Sequence, residues 1–193
     1  LIAKRYMARD NRFILMHNAV NSGQAWSRKK GLHMAQGEYI IFVDADDWLP
    51  KNSLKTLYMA IKASHADIVA GRYFRHLPFK TEMHPSEANF HEANGQEFLD
   101  ALLLCHSCPG YTTSSPCPNI SPMLWNKLIR KSILTDSTIA WPEGRQIGED
   151  AFLCIQILQK AQKIVFTPEV VYHYQNYHSN AITRTKDLST FKS

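Results

Sequence analysis

The 193-residue chain has no apolar run approaching the ~18 to 20 residues that a membrane-spanning helix needs, and no leader-type segment is visible in it. It has no basic block interleaved with aromatics, which argues against nucleic acid as the partner, and no internal repeat. Cysteines number only four. Cys105 and Cys108 flank His106 in a C-x-x-C and Cys117 follows in a Pro-rich stretch, but a zinc site would need a fourth ligand and a second clean pair. Reduced cytoplasmic thiols are the simpler reading. What is present is ordinary for a globular domain: 45% hydrophobic and 20% charged residues, with a net charge of +5. That charge suits an anionic ligand, peripheral contact with an anionic membrane, or a plain basic enzyme.

The most informative stretch is Gly37 to Leu49. Tyr39 to Val43 is a run of β-branched and aromatic residues, the pattern of a strand buried on both faces in a parallel sheet. It stops at three carboxylates, Asp44, Asp46 and Asp47. With the backbone extended past Val43, Asp44 and Asp46 would point to one side and converge on a divalent cation, Mg²⁺ or Mn²⁺. A solvated acidic turn is the bland alternative. In open α/β sheets, ligands bind outside the carboxyl ends of strands, where these acids would lie.

Taken in order, residues 1 to 10 read as the last turns of an amphipathic helix and Phe13 to Met16 as a short strand. Asn21-Ser22-Gly23 is turn and N-cap chemistry for a helix from about Gln24 to Gln36, closed by Gly37. Its free N–H groups and Arg28 could meet an anion. After Pro50, the apolar positions Leu54, Leu57, Tyr58 and Ile61 predict a helix packed on a sheet. Ile68 to Ala70 reads as a strand, 72 to 94 as a polar excursion or hairpin, and Asn94 with Glu97 as a capping box before a helix from Gln96 to Leu104. Pro109 to Pro122 is a long loop. Helical pattern resumes over Met123 to Ile129 and Ala151 to Ala161, and Ile164 to Tyr174 reads as a strand pair broken by Pro168.

Several of these stretches, in order, resemble the family 2 glycosyltransferases of the GT-A fold, in the branch that builds bacterial surface polysaccharides. Asn21, Gly23, Arg28 and Gly31 match an N-x-G-x-x-x-x-R-x-x-G segment, and Gly37 to Asp47 is similar to the family's strand and D-x-D block. Trp125-Asn126-Lys127 resembles a Trp-Asn-Lys motif, Glu149-Asp150 an acidic pair, and Tyr172-His173-Tyr174 a tyrosine-rich final strand. The resemblance implies an α/β, Rossmann-like mixed sheet flanked by helices. The family's opening β-α-β elements, with a Pro-x-Tyr-Asn-like signature and an Asp-Gly-Ser turn, have no counterpart, so an N-terminally truncated, self-associating and even inactive piece is expected. A single domain follows, with 1–71 on the donor and metal side, 72–182 on the acceptor side and 183–193 a tail.

By resemblance the activity is inverting sugar transfer from a nucleotide-diphosphate sugar, a UDP-sugar for preference, to a glycan or lipid-linked acceptor, in the cytoplasm or at the inner membrane face. Asp46 and Asp44 would hold the metal, with His173 as a further ligand. Asp150 would be the general base and Glu149 an orienting acid, or both would simply stabilise a helix N-terminus. Asn21, Gly23, Arg28, Asp44, Trp125, Asn126 and Lys127 would contact substrate, although a core tryptophan and a structural histidine fit equally well. Two rivals remain. One is a catalytically dead carbohydrate- or partner-binding remnant. The other is a haloacid-dehalogenase-like phosphohydrolase, disfavoured because Asp47 and Trp48, rather than Thr or Val, follow the second Asp.

Overall fold

A computed structural model describes residues 2–84, 91–100, 121–144 and 148–176. Strand β2 (Ile68–Leu77) is the centre of the molecule, because it pairs on one edge with β5 (Lys127–Arg130) and on the other with β6 (Ile164–Gln175). β1 (Tyr39–Ile40) lies outside β5 and β4 (His91–Ala93) outside β6, giving the order β1-β5-β2-β6-β4. β3 (Lys80–His84) folds back on β2 as a hairpin. Only β2 and β6 run parallel, so the sheet is mixed, as expected.

The register explains the layers. Ile68 sits opposite Ile129 and Ile164, Val69 opposite Leu128 and Val165, and successive residues of a strand point to opposite faces. The isoleucine row joins the cluster containing Leu32 of α2 (Gln24–Met34), Phe98 of α4 (residues 95–100), Ile133 of α5 (Lys131–Leu134) and Leu153 and Ile157 of α6 (Glu149–Lys160). The opposite row packs with Leu57 and Ile61 of α3 (Ser53–Ser64) and with Trp125 and Tyr172. Helices thus cover both faces. Each fully buried leucine or isoleucine contributes about 1.5–3 kcal/mol of transfer free energy.

Several expectations are corrected. Phe13 to Met16 forms no strand: Phe13, Ile14 and Leu15 are exposed, with no neighbouring strand among the described residues to take their hydrogen bonds. α1 (Ile2–Met7) buries no residue, so its helical pattern has no packed face among the described residues. The run from Tyr39 pairs over only two residues, antiparallel to β5, and Val43 is exposed. It is an edge, because hydrogen-bonding partners lie on one side only. Met123 to Ile129 turns and then extends, since the backbone of 127–130 is hydrogen-bonded from both sides; its apolar spacing suited a helix, and the sheet overrode it. α2 ends at Met34, capped at Ala35 rather than Gly37. Of the four apolar positions on α3, Leu57 and Ile61 are buried while Leu54 and Tyr58 are exposed.

β6 is one strand, not two. Its pairing with β2 skips from Thr167 to Val170, leaving Pro168 and Glu169 in an outward bulge where a missing N–H costs no ladder bond. Gly71 opposite makes the bulge possible: a Cβ there would lie 2.8 Å from the Val171 side chain and 3.0 Å from the Glu169 carbonyl oxygen. The capping box is present, Asn94 N–H donating to Glu97 Oε2 at 2.9 Å and Glu97 N–H to Asn94 Oδ1 at 3.0 Å. Cys154 is a buried free thiol; Cys105, Cys108 and Cys117, and most of the Pro109–Pro122 loop, lie outside the described residues.

Candidate active site

Both helices that deliver the site begin at a glycine with positive φ, Gly23 at 84° before α2 and Gly148 at 83° before α6, conformations that side chains resist. Asn21 tightens the first of these turns, its Oδ1 accepting the Gly23 N–H at 3.2 Å. One turn into α2, Arg28 reaches both neighbours: Nη2 donates to Asp44 Oδ1 at 2.7 Å and Nη1 donates to Asp150 Oδ1. The guanidinium also stands over the Phe42 ring, 5.8 Å from its centroid. Its side chain is only 8% exposed, so this is a largely desolvated fork holding two carboxylates that would otherwise repel. Burial pulls the guanidinium pKa down, but Asp150 and Asp44 outweigh it and hold it above its ordinary value. Burial pushes the Asp44 carboxyl up against the opposing pull of Arg28.

The acidic block does not run on extended. Asp47 N–H donates to Asp44 C=O at 3.2 Å, so Ala45 and Asp46 form a turn with Asp46 exposed at its tip. The two members of the D-x-D therefore differ in environment rather than sharing a side: Asp44 Oδ1 already accepts from Arg28 and from Gln24 Nε2 at 2.8 Å. Asp47 anchors the turn. Its Oδ2 accepts from the Tyr172 hydroxyl and its Oδ1 from the Gln175 N–H, both at 2.8 Å, while the Tyr172 oxygen accepts from the Asp44 N–H at 3.0 Å. Burial lifts the Asp47 carboxyl to about 6 in spite of those two donors, and burial also drives the Tyr172 phenol upward. Gln24, Asp47 and Tyr172 were not singled out as site residues from sequence; the third carboxylate of the block was the available signal.

Among the described residues, the second oxygen of Asp150, Oδ2, meets only the Leu124 N–H, at a long 3.5 Å. Glu149 beside it is buried, and desolvation raises its carboxyl. Asp44 and Asp150 thus face a common region beside the exposed Asp46. A groove of about 410 Å³ extends from Arg28 along the Tyr39 to Val43 run, lined also by Gly31 and Leu32 of α2 and by its capping residue Ala35.

The Trp-Asn-Lys motif is structural. Trp125 is 3% exposed and stacks on Tyr172 and Tyr174 at 4.6 and 5.2 Å, so its ring is in the core and not offered to a sugar. Asn126 Nδ2 donates to the Gly71 carbonyl at 2.8 Å. The buried Lys127 ammonium donates to Asn126 Oδ1, the Ser121 carbonyl and the Met123 carbonyl at 2.9, 2.8 and 2.7 Å, which uses all three of its hydrogens. Burial pulls its pKa down. His173 Nδ1 is bonded to His76 Nε2 at 2.8 Å and its ring stacks on Trp48, which ties it into an aromatic cluster. Among the described residues no group of three His, Cys, Asp or Glu side chains is placed to hold a metal by itself.

Residues 1–116 match the family model described as Glycosyl transferase family 2. The chain is 30% identical over 192 residues to the glycosyltransferase GlyG of Streptococcus pneumoniae, covering 97% of this chain and 60% of the relative. It is 32% identical over 178 residues to a cholesterol galactosyltransferase of Borreliella burgdorferi, covering 91% and 47%. In structure it is similar to residues 1–349 of Staphylococcus aureus TarS, solved in complex with UDP-GlcNAc, with a TM-score of 0.74 at 19% identity over 95% of this chain and 47% of that one. The chain therefore spans roughly half of such relatives, from 47% to 60% of their lengths. With the family model covering most of the chain, the mixed sheet between helices and an acidic turn braced by Arg28, this chain belongs to glycosyl transferase family 2 and carries its GT-A architecture.

Proposed function

We propose that the Arg28 cluster is the transfer site of an inverting glycosyltransferase that moves a sugar from a nucleotide-diphosphate donor to a glycan or lipid-linked acceptor in bacterial surface polysaccharide synthesis. The observation that carries this reading is the junction itself: one guanidinium binds the acid at the end of the Tyr39–Val43 run and the acid at the start of α6. TarS, a structural neighbour, binds UDP-GlcNAc, and a relative at 25% identity is a poly(ribitol-phosphate) beta-glucosyltransferase of Bacillus spizizenii, which supports a UDP-sugar and a cell-surface polymer.

Asp46, exposed at the tip of the turn, suits Mg²⁺ or Mn²⁺ with its hard carboxylate oxygens, and the expected help from Asp44 is limited to the oxygen that Arg28 and Gln24 do not engage; one or two protein ligands would suffice, with donor phosphates and water as the others. When bound, the ion would supply positive charge to the departing diphosphate. The remaining chemistry belongs to the chain. Asp150 Oδ2 takes the proton of the acceptor hydroxyl as its oxygen bonds to the anomeric carbon, and the bond from that carbon to the phosphate oxygen breaks on the opposite face. Arg28 holds the Asp150 carboxylate through Oδ1, leaving Oδ2 as the base. Asp47 and Tyr172 hold the turn that presents Asp46.

Some distance separates this site from a phosphohydrolase nucleophile, since Asp44 is pinned by two donors, Arg28 and Gln24, rather than free to attack. The test is release of UDP from a panel of UDP-sugars with mixed glycan acceptors. Asp150→Asn should lower the rate by about 10²–10⁴ while leaving donor binding intact. Equal rates would remove Asp150 from the role, and a chain that binds UDP yet never transfers would favour the binding-remnant reading. The cytoplasmic face of the membrane is the proposed location; no described helix is long and apolar enough to cross a bilayer.

A further inference from the structure

Trp48 follows the acidic turn directly and is 42% exposed, although it is the bulkiest apolar side chain near the site. Its position is fixed by the backbone: Trp48 N–H donates to the His173 carbonyl at 3.3 Å and His173 N–H donates to the Trp48 carbonyl at 2.9 Å. The indole lies 4.9 Å from the His173 ring with planes 10° apart, and 4.8 Å from the His76 ring with planes 25° apart. Those two imidazoles are 5.1 Å from each other, within 18° of coplanar orientation, and joined edge to edge by the 2.8 Å bond from His76 Nε2 to His173 Nδ1.

These distances decide which face of the indole is covered. Rings stacked on opposite faces would be separated by about twice the carbon–carbon contact distance, or ~7 Å. A separation of 5.1 Å places both imidazoles on the same face, as a hydrogen-bonded raft backed by Phe74, whose ring is 5.4 Å from His173. No other ring among the described residues stacks on Trp48, which is 42% exposed, so the second face of the indole has no described ring against it. A flat, rigid, apolar surface with a polarised π-system, set beside a carboxylate turn, fits the C–H face of a pyranose.

We infer that the open face of Trp48 is a stacking platform for a pyranose ring entering the site. The inference rests on the transferase reading for the class of ligand, and on the raft geometry for the place. The ring could belong to the acceptor glycan or to the donor's own sugar, and both present the same apolar face. The Asp47 anchor to Tyr172 and Gln175 fixes the turn on β6, the strand that also carries His173, so the platform and Asp46 move as one body.

The experiment is saturation-transfer NMR on the 193-residue chain with methyl β-D-galactopyranoside and methyl β-D-glucopyranoside, repeated for Trp48→Phe and Trp48→Leu. Leu keeps an apolar side chain and loses the π face; Phe keeps a smaller one. Wild type should transfer saturation most strongly to ring C–H protons on one sugar face, Trp48→Phe should retain binding, and Trp48→Leu should bind about tenfold more weakly. Equal affinities of the Leu and Phe variants for the glycosides and for UDP-GlcNAc alike, or no saturation transfer to a pyranose ring of either ligand class in wild type, would overturn the platform. A parallel arm compares UDP-GlcNAc with UDP: a Trp48→Leu penalty confined to UDP-GlcNAc assigns the platform to the donor sugar, and one confined to the glycosides assigns it to the acceptor. UDP carries no pyranose to stack, so failure of wild type to bind UDP would count against the transferase reading and not against the platform.

Discussion

Arg28 and Asp150 are 122 positions apart in the chain and in direct contact, and that contact fastens α2 to the start of α6. Because Arg28 also holds Asp44, a single side chain sets the distance between the acid turn and the proposed base.

Arg28→Ala should therefore damage stability and activity together. Two partly buried carboxylates lose their shared cation, a type of change that costs about 3 kcal/mol. Urea unfolding measures it directly. Asp150→Asn in the Arg28→Ala background should recover part of the loss, because one of the stranded charges is gone; no recovery would mean that the pair is not energetically coupled.

Lys127→Ala should behave as a core lesion. It strands Asn126 Oδ1 and two carbonyls in the interior, with an expected destabilisation of about 3 kcal/mol. A substrate-contacting lysine would show the opposite profile, with unchanged unfolding and weakened donor binding.

Asp47 gives the structure a pH signature. Its carboxyl is raised from 3.8 to about 6, so between those values the folded state binds more protons than the unfolded one. The slope of stability with pH is then negative for this group: its contribution is complete below 3.8 and lost as pH rises through about 6. Carboxyl ¹³C NMR should show a midpoint near 6 that is absent from Asp47→Asn.

How far the sequence reveals all this depends on range. The acidic block, Arg28, the Glu149-Asp150 pair and the Asn94–Glu97 capping box are local patterns, and each occupies a defined place in the structure. Apolar periodicity points to a helix from Ala151 to Ala161, observed over Glu149–Lys160, whereas the α/β class follows from the family resemblance. Met123 to Ile129 misled because the spacing of Leu124, Trp125 and Leu128 suits a helix, while hydrogen bonds from β1 and β2 decide the outcome. Trp125 and Lys127 looked like ligand contacts because nothing nearby in sequence discloses the tyrosines that cover one or the carbonyls that surround the other. Asp47 and Tyr172 meet across 125 positions, a relation no local spacing contains.

The most direct test of the central claim is calorimetric titration of this chain with UDP, with and without Mn²⁺, alongside Asp46→Asn. If the acid turn braced by Arg28 is the donor site, UDP binds only with Mn²⁺ present and Asp46→Asn abolishes that binding while unfolding at the same urea concentration as wild type. Mn²⁺-independent binding that is unchanged in Asp46→Asn would contradict the account.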